Sequence, residues 1–141
     1  MTLDQLARDA IALAAPGRRA VLGVAGCPGA GKTTLTELLL NRIRALRGPS
    51  WVAHVPMDGF HLADAQLQRL GLLERKGAPD TFDAAGYASL LQRVRHRTAD
   101  PVYAPGFDRR LEQPLAAALV VEPEARLVLT EGNYLLLDSP P

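Results

Sequence analysis

A short apolar run, Ala20-Val21-Leu22-Gly23-Val24-Ala25, leads straight into Gly26-Cys27-Pro28-Gly29-Ala30-Gly31-Lys32-Thr33-Thr34, and a helical pattern begins at once. The spacing G-x-x-x-x-G-K-[ST], set between a strand and a helix, constrains this chain more than any other feature. Its glycines let successive backbone N–H groups curl round an anion with no Cβ in the way. The helix start adds the positive end of its dipole to the same anion. Lys32 is then placed to reach the β- and γ-phosphates of a nucleotide, and the Thr33 hydroxyl to ligate Mg²⁺. Residues 26–34 are therefore the nucleotide-binding candidates, with Cys27 read as a small residue that fits the loop. An unliganded glycine-rich turn is the competing reading, and the strand-and-helix context argues against it.

A chain of 141 residues is sized for one domain with a real core. Apolar residues make up 48% and charged residues 22%, the balance of an ordinary soluble globular protein. A net charge of +1 gives no argument for a nucleic-acid or membrane partner. One cysteine excludes an internal disulfide framework and fits a reducing compartment. No apolar stretch approaches the roughly 18 residues that a membrane span needs. Asp4 and Asp9 stand where a secretory leader would be basic and then apolar, so a cytoplasmic location is expected.

Leu3, Leu6, Ala10, Leu13 and Ala14 recur at helical spacing, which predicts an amphipathic helix over Thr2–Ala15, closed by Pro16-Gly17. Strand one is expected at Ala20–Ala25, and a helix from Lys32 to about Arg47, stopped by Gly48-Pro49. Trp51–Pro56 reads as a second short strand. Residues 62–75 and 84–97 read as helices separated by Gly77-Ala78-Pro79-Asp80, and Pro101–Asp108 with Ala117–Glu122 as a hairpin. Leu127-Val128-Leu129-Thr130 is a third, buried strand ending at Glu131-Gly132. Strands alternating with helices imply an α/β fold on a parallel sheet.

In an open parallel sheet, ligands sit at the carboxyl ends of the strands. Asp58 follows strand two and Glu131 ends strand three. A carboxylate after strand two could accept a proton from a substrate hydroxyl facing the γ-phosphate, and one after strand three could hold Mg²⁺. Each could instead cap a helix or turn.

Pro56-Met57-Asp58-Gly59-Phe60-His61, then Leu70-Gly71-Leu72 and Arg75-Lys76-Gly77-Ala78-Pro79-Asp80-Thr81-Phe82-Asp83, resemble the superfamily of uridine kinase, phosphoribulokinase and bacterial pantothenate kinase. Pro101-Val102-Tyr103 and Thr130-Glu131-Gly132-Asn133-Tyr134 also have counterparts there, so the resemblance covers residues 20–141. The compact bacterial nucleoside/nucleotide kinase branch is the most similar part of that group. The resemblance implies a three-layer P-loop NTPase fold, a parallel sheet in the order 2-3-1 with helices on both faces, and ATP and Mg²⁺ as cofactors. It makes Asp58 the catalytic carboxylate, beside Lys32, and places Thr33 and Glu131 on the metal. His61, Tyr103, Asp108 and Arg109 become candidates for substrate binding within a region spanning residues 59–122. A surface or core role is the alternative for His61. Asp108 stands where uridine kinase has a histidine, and Gly77 where it has an acid for the ribose hydroxyls, which argues against a nucleoside. Arg69, Arg75, Lys76, Arg109 and Arg110 read either as a solvated face or as contacts for an anionic substrate.

The implied activity is transfer of the ATP γ-phosphate to a hydroxyl of a small metabolite, such as a sugar, a pantothenate-like compound or a nucleoside. Two other classes compete. Asp83-Ala84-Ala85-Gly86 superficially fits a GTPase D-x-x-G switch, although no Asn-Lys-x-Asp guanine reader is present. By the same resemblance, the chain corresponds to the N-terminal two thirds of such a domain, without the lid and strands four and five. It is then expected to be a truncated product, a fragment, or a domain completed by association, a homodimer included. A nucleotide-binding module without turnover would follow from that.

Overall fold

A computed structural model describes residues 1–138. Helix α1 (Leu3–Ala12) starts on Thr2, whose hydroxyl accepts from the Gln5 amide at 3.1 Å. It is shorter than its periodicity predicts because the chain turns at Leu13. Strand β1 (Ala20–Ala25) and helix α2 (Lys32–Arg47) fall where the sequence places them, and Gly48 closes α2 at φ +98°. Strand β2 (Val52–His54) is followed by a 3-10 turn at Met57–Phe60. The helix expected over 62–75 is only α3 (Asp64–Leu70), because Gly71 turns the chain left-handed at φ +71°. Two further 3-10 turns, Leu73–Arg75 and Pro79–Thr81, lead to α4 (Ala84–Val94). The expected hairpin forms as β3 (Val102–Asp108) and β4 (Gln113–Val121), with β4 starting earlier than its apolar pattern suggests. Strand β5 (Leu127–Gly132) is the last regular element among the described residues.

The sheet is parallel in the order β1-β5-β2, the expected 2-3-1, with Val21 beside Val128 and His54 beside Leu129. This is the P-loop α/β architecture. Strand β5 is buried along its whole length. Its pleat divides the core in two. Leu127 and Leu129 pack with Ala7 and Ala10 of α1 and Leu39, Leu40 and Ile43 of α2. Val128 packs on the other face with Tyr87 and Val94 of α4 and Val102, Ala104 and Val121 of the hairpin. Arg19, almost fully buried, ties the N-terminal edge together. Its guanidinium donates to the carbonyls of Ala125 and Val94 at 2.8 Å and of Glu122 at 3.1 Å. Burial, followed by the nearby Arg97 charge, pulls its pKa down.

Truncating Leu129 to Ala should cost about 2–5 kcal/mol, read as a lower urea midpoint, because its neighbours cannot close the space. Tyr87 gives a pH signature. Burial raises its phenol above the ordinary value of 10.0; the hydrogen bond with the Thr130 hydroxyl opposes this and the Glu131 charge adds to it. A neutral phenol favoured by folding contributes stability that is complete below pH 10 and is lost as pH rises through the raised value. Tyr87→Phe removes the hydrogen bond with the Thr130 hydroxyl and should be about 1 kcal/mol less stable at pH 8. That gap should narrow above pH 10; urea midpoints at the two pH values measure it.

Candidate active site

The turn from β1 to α2 forms from glycines because it must. Gly29 and Gly31 take φ of +80° and +88°, which side chains resist. Gly31 caps α2 without any side-chain hydrogen bond, and the first turn of α2 carries no acid. Both other long helices differ: Thr2 caps α1, and Asp83 caps α4 by accepting from the Gly86 amide at 2.9 Å. The first N–H groups of α2 are left for an external anion. Asp83-x-x-Gly86, the candidate switch motif, is a helix cap here.

Parity on β5 brings in the acid. Glu131 lies on the same face as Leu127 and Leu129, toward α2, and its Oε2 accepts from the Thr33 hydroxyl at 3.3 Å. Its other oxygen, Oε1, meets His54 Nε2 at 3.0 Å. Burial pushes His54 below its ordinary value and outweighs the opposing Glu131 charge, so the neutral ring donates Nε2–H to the carboxylate. Lys32 curls back, its ammonium donating to the Cys27 carbonyl at 3.2 Å.

Asp58 arrives from the 3-10 turn after β2, and its Oδ2 is 3.4 Å from Nη2 of Arg109 at the hairpin tip. Pro28, Gly29, Lys32, Thr33, Asp58, Arg109, Glu131, Gly132 and Asn133 line one cavity of about 260 Å³. Thr33 and Glu131 offer two hard oxygen donors on one side of it, a set that fits Mg²⁺. No group of three or more His, Cys, Asp or Glu side chains among the described residues could hold an ion alone. Phosphate and water would supply the remaining ligands.

The other substrate candidates lie outside this cavity. His61 donates Nδ1–H to the Asp58 carbonyl at 2.7 Å and stacks between Phe82 and Phe107, with centroids at 4.2 and 4.6 Å. Tyr103 points outward and is 58% exposed. Asp108 turns the hairpin by accepting from the Arg110 and Leu111 amides, each at 2.9 Å. Gly26, Cys27, Ala30, Gly31 and Thr34 belong to the loop and first turn without lining the cavity. Among the other cations, Lys76 is paired with Asp64 at 2.8 Å and Arg75 with Asp80 at 2.9 Å. Sequence reasoning passed over His54 and Asn133. The shared parity of Val52 and His54 on a strand facing α2 was the available signal for the first.

Comparison with known proteins decides the lineage. The chain is 41% identical to a protein of Silicibacter sp. TM1040 provisionally named a fructose transport system kinase, superposing with a TM-score of 0.86 over 99% of this chain and 67% of that one. It belongs to the P-loop kinase superfamily that contains uridine kinase and pantothenate kinase. A Schizosaccharomyces pombe protein provisionally named a uridine kinase is 38% identical over 98% of this chain. The pantothenate kinase of Paenarthrobacter aurescens is 31% identical over 86% of it. The chain spans 60% and 37% of those two kinases' lengths. No protein-family model matches it. No helix among the described residues is long and apolar enough to cross a membrane.

Gly59 governs the position of Asp58. A Cβ on Gly59 would stand 2.2 Å from the Pro105 carbonyl oxygen, backbone against backbone. Gly59→Ala should therefore push the turn off the hairpin and cost about 1–3 kcal/mol in urea unfolding. The same variant should weaken the Asp58–Arg109 approach, seen as a shifted Asp58 carboxyl resonance.

Proposed function

We propose that the chain forms the phosphoryl-transfer half of an ATP-dependent kinase acting on a hydroxyl of a small metabolite. The observation that carries this is the convergence of Lys32 and Thr33, Glu131, and Asp58 on one cavity from three separate segments. The uncapped start of α2 and the loop amides hold the β- and γ-phosphates, and Lys32 leaves the Cys27 carbonyl to join them. Thr33 and Glu131 hold Mg²⁺, which when bound neutralises charge on the phosphates. Asp58 accepts the hydroxyl proton and orients the oxygen for in-line attack.

Arg109 sits where it can exchange Asp58 for an anionic arm of the substrate. This favours a hydroxy acid or phosphorylated sugar over an uncharged nucleoside. Two of the relatives' names, which speak of pantothenate and of a fructose system, agree with a polyhydroxylated or acidic acceptor, whereas the Schizosaccharomyces pombe name speaks of a nucleoside.

Calorimetry with ATP and Mg²⁺ should show binding that Lys32→Ala abolishes. In assays pairing ATP with sugars, hydroxy acids, pantothenate and nucleosides, Asp58→Asn should lower kcat by about 10²–10⁴. Undiminished turnover in Asp58→Asn would remove the carboxylate from the chemistry. Lys32-dependent binding with no acceptor phosphorylated would leave a nucleotide-binding module.

A further inference from the structure

Strand β2 runs beside β5, with His54 opposite Leu129, so Glu131 lies two residues further along on the same face. That diagonal spacing is bridged here by a long carboxylate and an imidazole, Nε2 to Oε1 at 3.0 Å. Both side chains are largely covered, at 25% and 11% exposure. The two Glu131 oxygens are thereby divided: one takes the His54 N–H, the other faces Thr33 at 3.3 Å. A carboxylate held by one hydroxyl alone could turn about its last bond; a second donor on the opposite oxygen stops that rotation. Residue 52, two positions earlier on the same face of β2, is Val and packs in the α2 core. A polar ring at 54 changes an otherwise apolar pattern at the point where β2 comes level with the acid.

We propose that His54 is a positioning residue that orients Glu131 so that Oε2 faces the metal side of the nucleotide cavity. The inference rests on the reading of Glu131 as a magnesium ligand. Partners of this kind, one bond removed from a metal, typically change metal affinity 10- to 100-fold when removed. Gln at position 54 can set its amide nitrogen near the place of Nε2, whereas Asn is too short and Leu has no donor.

The test is ATP affinity of the full chain by calorimetry, without metal and with Mg²⁺, in wild type, Glu131→Gln, His54→Leu, His54→Gln and His54→Asn. In wild type Mg²⁺ should tighten ATP, and Glu131→Gln should remove that gain. His54→Leu and His54→Asn should lose about tenfold of it while metal-free ATP affinity stays unchanged, and His54→Gln should keep most of it. A wild type and Glu131→Gln that respond to Mg²⁺ alike would overturn the metal assignment and the inference with it. If Glu131→Gln abolishes the gain but His54→Leu keeps it, the inference alone fails. His54→Gln losing as much as His54→Leu would mean the ring acts by packing, which also overturns it. Should His54→Leu fail to fold, the Gln and Asn variants decide: a difference between them supports positioning, and equality overturns it.

Discussion

Everything in this domain depends on a six-residue strand with no exposed face. Strand β5 is hydrogen-bonded on both sides and buried throughout, so neither its register nor its orientation can slip without turning apolar side chains outward. Leu127 and Leu129 commit one face to α1 and α2, and Val128 commits the other to α4 and the hairpin. Once those three are seated, period-2 geometry leaves Glu131 no option except the side of α2, level with Thr33. The position of Glu131 is thus enforced by hydrophobic burial several residues away. Thr130, on the opposite face, uses its hydroxyl on Tyr87, so the polar end of the strand is satisfied on both sides.

The charges around the cavity differ in how firmly they are held. Glu131 is largely buried and bonded at both oxygens, so moving it would strand a desolvated carboxylate. The Asp58–Arg109 contact is exposed, with 73% of the arginine side chain in solvent, and pairs of that kind contribute at most about 1 kcal/mol. The first is part of the fold, and the second can be given up for a ligand at little cost.

The phosphate loop, its strand and its helix were legible because their signals are local: glycine spacing, an apolar run, and a helical period closed by Gly48. Parallel order followed from the alternation of elements together with the family resemblance. Boundaries between 62 and 75 were not legible. One left-handed glycine at 71 and a 3-10 turn at Leu73–Arg75 cut a helical-looking pattern that composition alone could not divide, whereas the break at 77–80 was readable from Gly77 and Pro79. Asp58 and Glu131 could be singled out by their places after strands. The partners they meet come from other segments: Arg109 is 51 residues from Asp58, and His54 is 77 from Glu131. Such pairings depend on tertiary register, which no local period encodes. Asp108 and Asp83 show the converse, since acids that read as chemistry by position are spent on a turn and a helix cap.

The missing side chain at Gly59 also has a mechanical meaning. It lets the turn bearing Asp58 rest directly on the backbone of β3 at Pro105. His61, two residues on, is sandwiched between Phe82 and the hairpin's own Phe107. Turn and hairpin are therefore locked into one body, and a push on either is felt by the other. Opening the cavity must then come from elsewhere: the phosphate loop, or the exposed guanidinium of Arg109. A molecule that leans on the hairpin would shift the Asp58 carboxylate along with it.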